Sequence, residues 1–165
     1  MGADILLLFA KRGKERRVMN LKNSLIENNS IAIDQIATSW EEAIKISTDL
    51  LVKSGAIEER YYDDIIKKTM EYGPYYVIMP EVAMPHARPE SGVIKDSFSL
   101  VTLKEPVFFG EDAGDVSVLI TLAATSSDSH NEFGLVQVAN LFENEENILK
   151  IKNAKTKEEI LALIS

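Results

Sequence analysis

The sequence predicts an α+β domain in which a mixed β-sheet is sandwiched by helices. Residues 116–124 form a nearly continuous apolar run, which is typical of a central strand buried on both faces. Three S/T-x-x-E capping boxes, beginning at Ser39, Ser129 and Thr156, indicate helix starts. The resulting order, β-α-α-β-β-β-α-α-α, places helices on both sides of the strands. A chain of 165 residues is long enough for one such domain and too short for two.

The first elements follow from local patterns. Residues 21–27 can form a short helix, and residues 30–34 alternate as a short strand does. The capping box at Ser39 opens a helix, which Gly55 is placed to end. Its apolar face repeats every 3.6 residues and contains Trp40, Ala43, Ile44, Ser47, Leu50 and Leu51.

A second helix is expected over residues 58–72, where Gly73-Pro74 stops it. The side chains expected on one side of this helix are Tyr61, Ile65, Ile66 and Met70.

Three extended segments precede the C-terminal helices. Residues 75–79 are rich in β-forming residues and are interrupted by Pro80, after which residues 82–84 lead into a loop. Alternation over residues 98–104 predicts another strand, and residues 112–115 form the turn before the buried strand. Short helices then follow the box at Ser129, span residues 145–152, and follow the box at Thr156.

Charge and composition exclude several functional classes. The net charge is −8, so a polyphosphate would be repelled and nucleic-acid binding is not expected. The chain has no cysteine, which excludes disulfides, thiolate nucleophiles and cysteine-ligated metals. No apolar run is long enough to span a bilayer, so we expect a cytoplasmic protein with no direct membrane insertion.

Residues 1–18 differ from the remainder. They carry five basic and two acidic residues, whereas the rest has 13 basic and 24 acidic residues. The basic cluster follows the short apolar run 5–10, which is the reverse of a secretory signal. We expect an N-terminal extension over 1–18, outside the fold, and a single domain over 19–165.

The segment 84–93, with the sequence MPHARPESGV, holds the main candidate for chemistry. Pro85 and Pro89 predict a rigid, non-helical loop, which can hold His86 and Arg88 at a fixed separation. A neutral imidazole can attack phosphorus, and a neighbouring guanidinium can bind phosphoryl oxygens. The alternative is a histidine with only a structural role in a tight turn.

The second histidine, His130, is predicted just after a helix cap. It follows the C-terminal end of the buried strand, where ligand sites of α/β sheets often lie. Helix N-terminal amides suit a phosphoryl group and help keep an imidazole neutral. We expect His130 to face His86 across a phosphate-sized gap; the alternative is an exposed histidine at a helix start.

A metal site and a nucleotide site have less support. Two histidines with Glu90, Asp128 or Glu132 form a reasonable ligand set, but no H-x-x-x-H or H-x-H spacing is present. Neither G-x-x-x-x-G-K-[ST] nor G-x-G-x-x-G occurs. We therefore expect no metal and no cofactor.

Several segments resemble the enzyme IIA components of the sugar phosphotransferase system, in the mannitol/fructose-type superfamily. The resemblance covers residues 19–165 and is closest to the ascorbate-specific branch. The segments that carry it are Ser39-Trp40-Glu41-Glu42-Ala43, Gly73-Pro74-Tyr75-Tyr76-Val77-Ile78, Ala83-Met84-Pro85-His86-Ala87-Arg88-Pro89-Glu90 and Val138-Ala139-Asn140-Leu141-Phe142-Glu143.

This resemblance implies a three-layer α/β/α sandwich and a phosphotransferase role. By resemblance, His86 is phosphorylated by the phosphocarrier protein HPr and passes the group to a cysteine of a IIB component. The membrane component IIC then transports the sugar, which receives the phosphoryl group. His130 matches the second active-site histidine, which orients or stabilises that group.

One departure concerns the cation that helps hold the phosphate. Mannitol-type members carry an arginine at the end of the helix before the active loop, and residues 69–72 contain none. Arg88 is the expected substitute.

Two other functions are possible for such a domain. One is a regulatory module that binds a target according to its phosphorylation state. The other is a hydrolase with His86 as base, but the sequence contains no recognisable nucleophile motif for it.

Overall fold

The computed structural model describes residues 20–164, apart from the side chains of Glu132 and Phe133, so the expected extension over 1–18 lies outside the described residues. Its boundary with the domain remains a prediction. The helices are α1 (Leu21–Glu27), α2 (Trp40–Lys53), α3 (Arg60–Tyr72), α4 (Val136–Phe142), α5 (Glu146–Asn153) and α6 (Lys157–Leu161). The strands are β1 (Ile31–Gln35), β2 (Val77–Met79), β3 (Glu81–Ala83), β4 (Ser97–Phe108) and β5 (Asp115–Ala123). A 3₁₀ turn spans Pro89–Ser91, and a π-helical segment spans Ser129–Leu135.

The five strands form one mixed sheet in the order β1-β4-β5-β3-β2. β1 is parallel to β4, and β3 is parallel to β5, whereas β4–β5 and β2–β3 are antiparallel. The apolar run predicted to be a buried strand is β5, and it lies at the centre of the sheet. The predicted mixed α+β fold is therefore confirmed.

Helices cover both faces of the sheet. One core contains apolar side chains of α1, α4, α5 and α6, and the other contains those of α2 and α3. β5 supplies both cores by strand alternation: Ile120 and Leu122 face the first, and Leu119 and Ala123 face the second. This arrangement is the expected three-layer α/β/α sandwich.

Two of the three predicted N-caps are present. The Ser39 side chain accepts a hydrogen bond from the Glu42 amide at the start of α2. Thr156 accepts one from the Glu159 amide at the start of α6. These bonds satisfy amides that have no partner within the first helical turn.

The third predicted cap is wrong. Ser126, rather than Ser129, accepts the capping bond: its Oγ accepts from the Ser129 amide at 3.1 Å, and its carbonyl accepts from the His130 amide at 3.0 Å. The turn therefore begins three residues earlier than predicted. The Ser129 hydroxyl instead donates to an Asp96 carboxylate oxygen at 3.4 Å.

Two further expectations need correction. The predicted element order left out the helix expected over residues 21–27, which forms α1, and counted a single strand over residues 75–79. Residues 82–84 were expected to lead into a loop, whereas Glu81–Ala83 forms a second strand, β3, after Pro80. Met70 was expected on the buried side of α3, but it is 76% exposed. Tyr61 and Ile65 are buried as expected, and Thr69, four residues after Ile65, continues the buried side in place of Met70.

Across residues 20–164, none of the helices is both long and apolar enough to cross a membrane.

Candidate active site

The sheet topology brings the two histidines together. Because β3 and β5 are parallel neighbours, their C-terminal ends lie at the same edge of the sheet. His86 follows β3 by three residues, and His130 follows β5 by seven. Their ring centroids are 4.7 Å apart, with an interplanar angle of 54°.

Both imidazoles line one open cleft of about 450 Å³. Arg88 lies in the same cleft, so all three predicted site residues converge there. The other residues that line the cleft are Lys68, Tyr72, Tyr75, Ala87, Pro89, Ala124, Ser127 and Asn131.

A hydrogen bond to the backbone fixes the tautomer of His86. Its Nδ1 lies 2.7 Å from the carbonyl oxygen of Met84. A carbonyl can only accept, so Nδ1 carries the proton and donates it. The lone pair therefore resides on Nε2, which is the nucleophilic nitrogen of the ring.

The loop that carries His86 is tied to the sheet and to α3. The Leu122 amide of β5 donates to Pro85 O at 3.0 Å. The Tyr61 hydroxyl donates to Leu122 O at 2.7 Å and accepts from the Ala87 amide at 2.9 Å. Tyr61 is fully buried, and this burial raises the pKa of its hydroxyl, which stays protonated as a donor. These bonds fix the backbone on both sides of His86.

Tyr75 contacts His86 directly. Its hydroxyl donates to the His86 carbonyl oxygen at 2.5 Å. Its ring packs edge-to-face on the imidazole, with 5.3 Å between centroids and an interplanar angle of 84°. Burial raises the Tyr75 pKa to about 12, so this hydroxyl also keeps its proton near neutral pH.

His130 is held by a different kind of segment. It lies in the π-helical stretch Ser129–Leu135, which is preceded by a loop bound to Asp96. The Asp96 carboxylate accepts from the Thr125 amide at 2.6 Å and from the Thr125 hydroxyl at 3.0 Å. Gly134 packs tightly on β5, because a Cβ built there would lie 2.4 Å from a methyl carbon of Leu122.

Both imidazoles are biased toward the neutral form. The pKa of His86 is lowered mainly by burial, with further lowering by the nearby His130 and the Lys68 ammonium; its bond to Met84 opposes the shift. Burial also lowers the pKa of His130. Because an ordinary histidine has a pKa of about 6.5, both rings are neutral at pH 7.

Lys68 was not identified from the sequence. It lies on α3, one residue before the stretch 69–72 in which no cation was found, and it lines the cleft. Its Nζ is 3.6 Å from the carboxylate of Asp64, which also accepts from the Ser91 hydroxyl in the 3₁₀ turn. The sequence does contain a lysine one helical turn before Tyr72. However, α3 carries several charged side chains at similar spacing, so the spacing alone did not distinguish Lys68 from them.

Metal binding has little geometric support within residues 20–164. Among the side chains described there, which do not include Glu132, no group of three or more histidine, cysteine, aspartate or glutamate residues could hold a metal ion. The cleft combines two neutral imidazoles with two cations, which is a set suited to an anionic group.

Comparison with known proteins identifies the family. The family model described as "Phosphoenolpyruvate-dependent sugar phosphotransferase system, EIIA 2" matches residues 24–165. The chain belongs to this family. As an EIIA component, it is a phosphotransferase of the relay type, as the sequence resemblance implied.

Three relatives illustrate the range of similarity to this EIIA domain. The ascorbate-specific PTS system EIIA component of Escherichia coli (strain K12) is 49% identical over 147 residues, covering 88% of this chain and 96% of the relative. A crystal structure described as a PTS IIA (PtxA) of Streptococcus mutans superposes with a TM-score of 0.84 at 50% identity, covering 87% and 92% of the two chains. The E. coli mannitol IIA, solved in complex with phosphorylated IIB, has a TM-score of 0.72 at 25% identity, covering 83% and 93%.

Proposed function

We propose that this EIIA domain carries a phosphoryl group on Nε2 of His86, between HPr and a IIB component. The Nε2 lone pair attacks phosphorus of the phosphohistidine of HPr. A new P–N bond forms while the old one breaks, and the electron pair of the old bond returns to the donor histidine. In the second step, a cysteine thiolate of IIB attacks the same phosphorus, and the pair of the P–N bond returns to His86.

The observation that carries the proposal is the state of His86. Its Nδ1–H is committed to Met84 O, and the ring is buried enough to stay neutral, so Nε2 has an available lone pair at neutral pH. A protonated imidazole has no lone pair at this nitrogen and cannot attack.

His130, Arg88 and Lys68 have supporting roles in this proposal. Phosphoryl transfer proceeds through a loose transition state whose charge is spread over the equatorial oxygens, so positioned donors and cations supply most of the catalysis. His130 is close enough to orient the group bound to His86. Arg88 and Lys68 line the same cleft and can neutralise the phosphoryl oxygens.

For the transported sugar, we propose ascorbate. The support is the similarity over 88% of the chain to an ascorbate-specific EIIA component. The membrane component IIC selects the sugar, so the role of this chain is to supply phosphoryl groups to the IIB partner of that system.

The direct test is reconstitution with enzyme I, HPr and radiolabelled phosphoenolpyruvate, comparing the wild type with His86→Ala. We expect acid-labile, base-stable label on the wild type and none on the variant. Added IIB of an ascorbate system should discharge the label faster than a mannitol IIB. Retention of full labelling by His86→Ala would refute the assignment of the nucleophile, and preference for mannitol IIB would refute the choice of sugar.

A further inference from the structure

The proposed phosphoryl relay makes no use of the turn that follows α3. Gly73 ends α3 with a φ of +80°, and its amide donates to Thr69 O at 2.8 Å. A left-handed φ of this kind favours glycine, and the following Pro74 cannot continue a helix. The turn therefore delivers the next two residues, Tyr75 and Tyr76, at a fixed place beside the cleft.

The two tyrosines point into different environments. Tyr76 is fully buried, with its hydroxyl 3.0 Å from Oγ1 of Thr69, and it contributes to the core under α3. Tyr75 is 41% exposed and lines the cleft. The two rings pack edge-to-face, with centroids 5.0 Å apart, so buried Tyr76 supports the orientation of Tyr75.

Tyr75 makes two contacts with one residue, His86. Its hydroxyl bonds the His86 carbonyl, and its ring packs on the imidazole. Together with the Nδ1 bond to Met84, these contacts restrain both the peptide and the ring torsions of His86. Tyr61 bonds the neighbouring Ala87 amide and does not restrain the imidazole in this way.

We propose that Tyr75 is a positioning residue for phosphoryl transfer, which holds the His86 ring in the attacking orientation through its hydroxyl and ring. This inference rests on the proposed function, because it assumes that His86 is the nucleophile. The ring also removes water from one part of the imidazole surface, so it contributes to the burial that keeps His86 neutral. Two effects follow: the hydroxyl acts on orientation, and the ring acts on both orientation and protonation.

Two substitutions separate these effects. Tyr75→Phe keeps the ring and removes the hydroxyl, whereas Tyr75→Leu removes both. Tyr62→Phe is the matched control, because the Tyr62 hydroxyl also donates to a backbone carbonyl, that of Glu41 at 3.3 Å, but away from the cleft. For each protein, the His86 pKa is measured by NMR titration of the unphosphorylated form, and single-turnover transfer is measured against phospho-HPr concentration.

For Tyr75→Phe we expect the maximal transfer rate to fall about fivefold, the usual worth of one hydrogen bond, with the His86 pKa unchanged. For Tyr75→Leu we expect a larger fall in the rate and a rise of the His86 pKa toward its ordinary value. Tyr62→Phe should match the wild type in both measurements.

Two results would overturn the proposal. In the first, both Tyr75 variants keep the wild-type maximal rate, and only the phospho-HPr concentration needed for half-maximal rate changes. This result would mean that Tyr75 contacts HPr and does not position His86. The other is an unchanged His86 pKa in Tyr75→Leu. If the wild type accepts no phosphoryl group at all, the proposed function fails; the pKa measurement needs no phosphoryl transfer and still tests the contact.

Discussion

The segments that carry the two histidines are built differently. His86 lies in a proline-bounded loop that is bonded to β5, to Tyr61 and to Tyr75. His130 lies in a π-helical stretch whose preceding loop is held by one carboxylate, that of Asp96. The first segment is held by hydrogen bonds from β5 and from two tyrosine side chains. The second is held by an acceptor in its own turn, Ser126, by the carboxylate of Asp96, and by the packing of Gly134.

This difference corresponds to the proposed roles. A nucleophile must be held with a defined tautomer and direction, which requires restraint at the backbone and the ring. A group that only orients a phosphoryl group has to be close, and a π-helical segment satisfies this with less restraint. π-helical turns are rare and occur frequently at functional sites. If the two segments differ in this way, substitutions in the His86 loop and in the His130 segment should have distinct consequences.

The largest difference is expected between the two histidines themselves. His86→Ala removes the attacking atom and should abolish labelling, whereas His130→Ala should slow labelling about 100-fold, the usual cost of losing one group that stabilises the transition state. The measurement is the initial rate of phosphoryl transfer from phospho-HPr. Equal residual rates in the two variants would contradict the division of roles.

Gly134→Ala tests how the His130 segment is packed. The new Cβ would lie within 2.4 Å of a Leu122 methyl carbon, so the segment must shift away from β5. We expect a loss of about 1–3 kcal/mol in the free energy of unfolding and slower transfer, with the His86 tautomer unchanged. Chemical denaturation and NMR of the imidazole nitrogens provide the measurements.

A double variant sharpens the Gly134 test. Leu122→Val removes the two methyl carbons that the new Cβ approaches, so the combined cost of both substitutions should be smaller than the sum of the single costs. Strictly additive costs would show that the clash is not the cause.

Asp96→Ala tests the loop before His130. It removes the acceptor for both Thr125 bonds, so we expect a several-fold slower transfer, because the loop before His130 loses one of its restraints while the His86 loop keeps its own. Asp115→Ala is the control, since Asp115 begins β5 at the end opposite the cleft. A rise in the His86 pKa in Asp96→Ala would show that the two segments are not independent.

The smallest effect concerns the pH dependence of stability. Both histidines have a lowered pKa in the folded protein, so between about pH 6.5 and the folded values the unfolded chain binds protons that the folded chain does not. The free energy of unfolding should therefore decrease as the pH falls through this range. Below the folded pKa values of the two histidines, their titration should no longer change the free energy of unfolding. Urea denaturation of the wild type and of the His86→Ala/His130→Ala variant checks this: the variant should show a flatter profile, and identical profiles would contradict the lowered values.

Much of the fold could be predicted from local pattern. The apolar run of β5, the Ser39 and Thr156 caps and the Gly73-Pro74 stop each correspond to one physical cause acting over a few residues. The Ser129 cap failed because Ser126 offers the same chemistry three residues earlier, and the sequence does not show which serine the chain will use. Pro80 was recognised as an interruption, but the strand after it, β3, is defined by its pairing with the distant β5, which local pattern does not contain.

The candidate site was predicted only in part for the same reason. His86 and Arg88 belong to one short motif, and His130 follows the recognisable central strand. Lys68 and Tyr75 reach the cleft only because of how α3 and its terminal turn pack against the active loop. Long-range packing of this kind has no signal in the spacing of a single sequence.

The phosphorylated atom can be identified directly. After phosphorylation by enzyme I and HPr, ³¹P and ¹⁵N NMR of the labelled protein distinguishes the two nitrogens of each histidine. Because Nδ1 of His86 is bonded to Met84 O, we predict that phosphorus is attached to Nε2 of His86. Phosphorus on Nδ1 of His86, or on His130, would contradict the assignment of His86 Nε2 as the nucleophile.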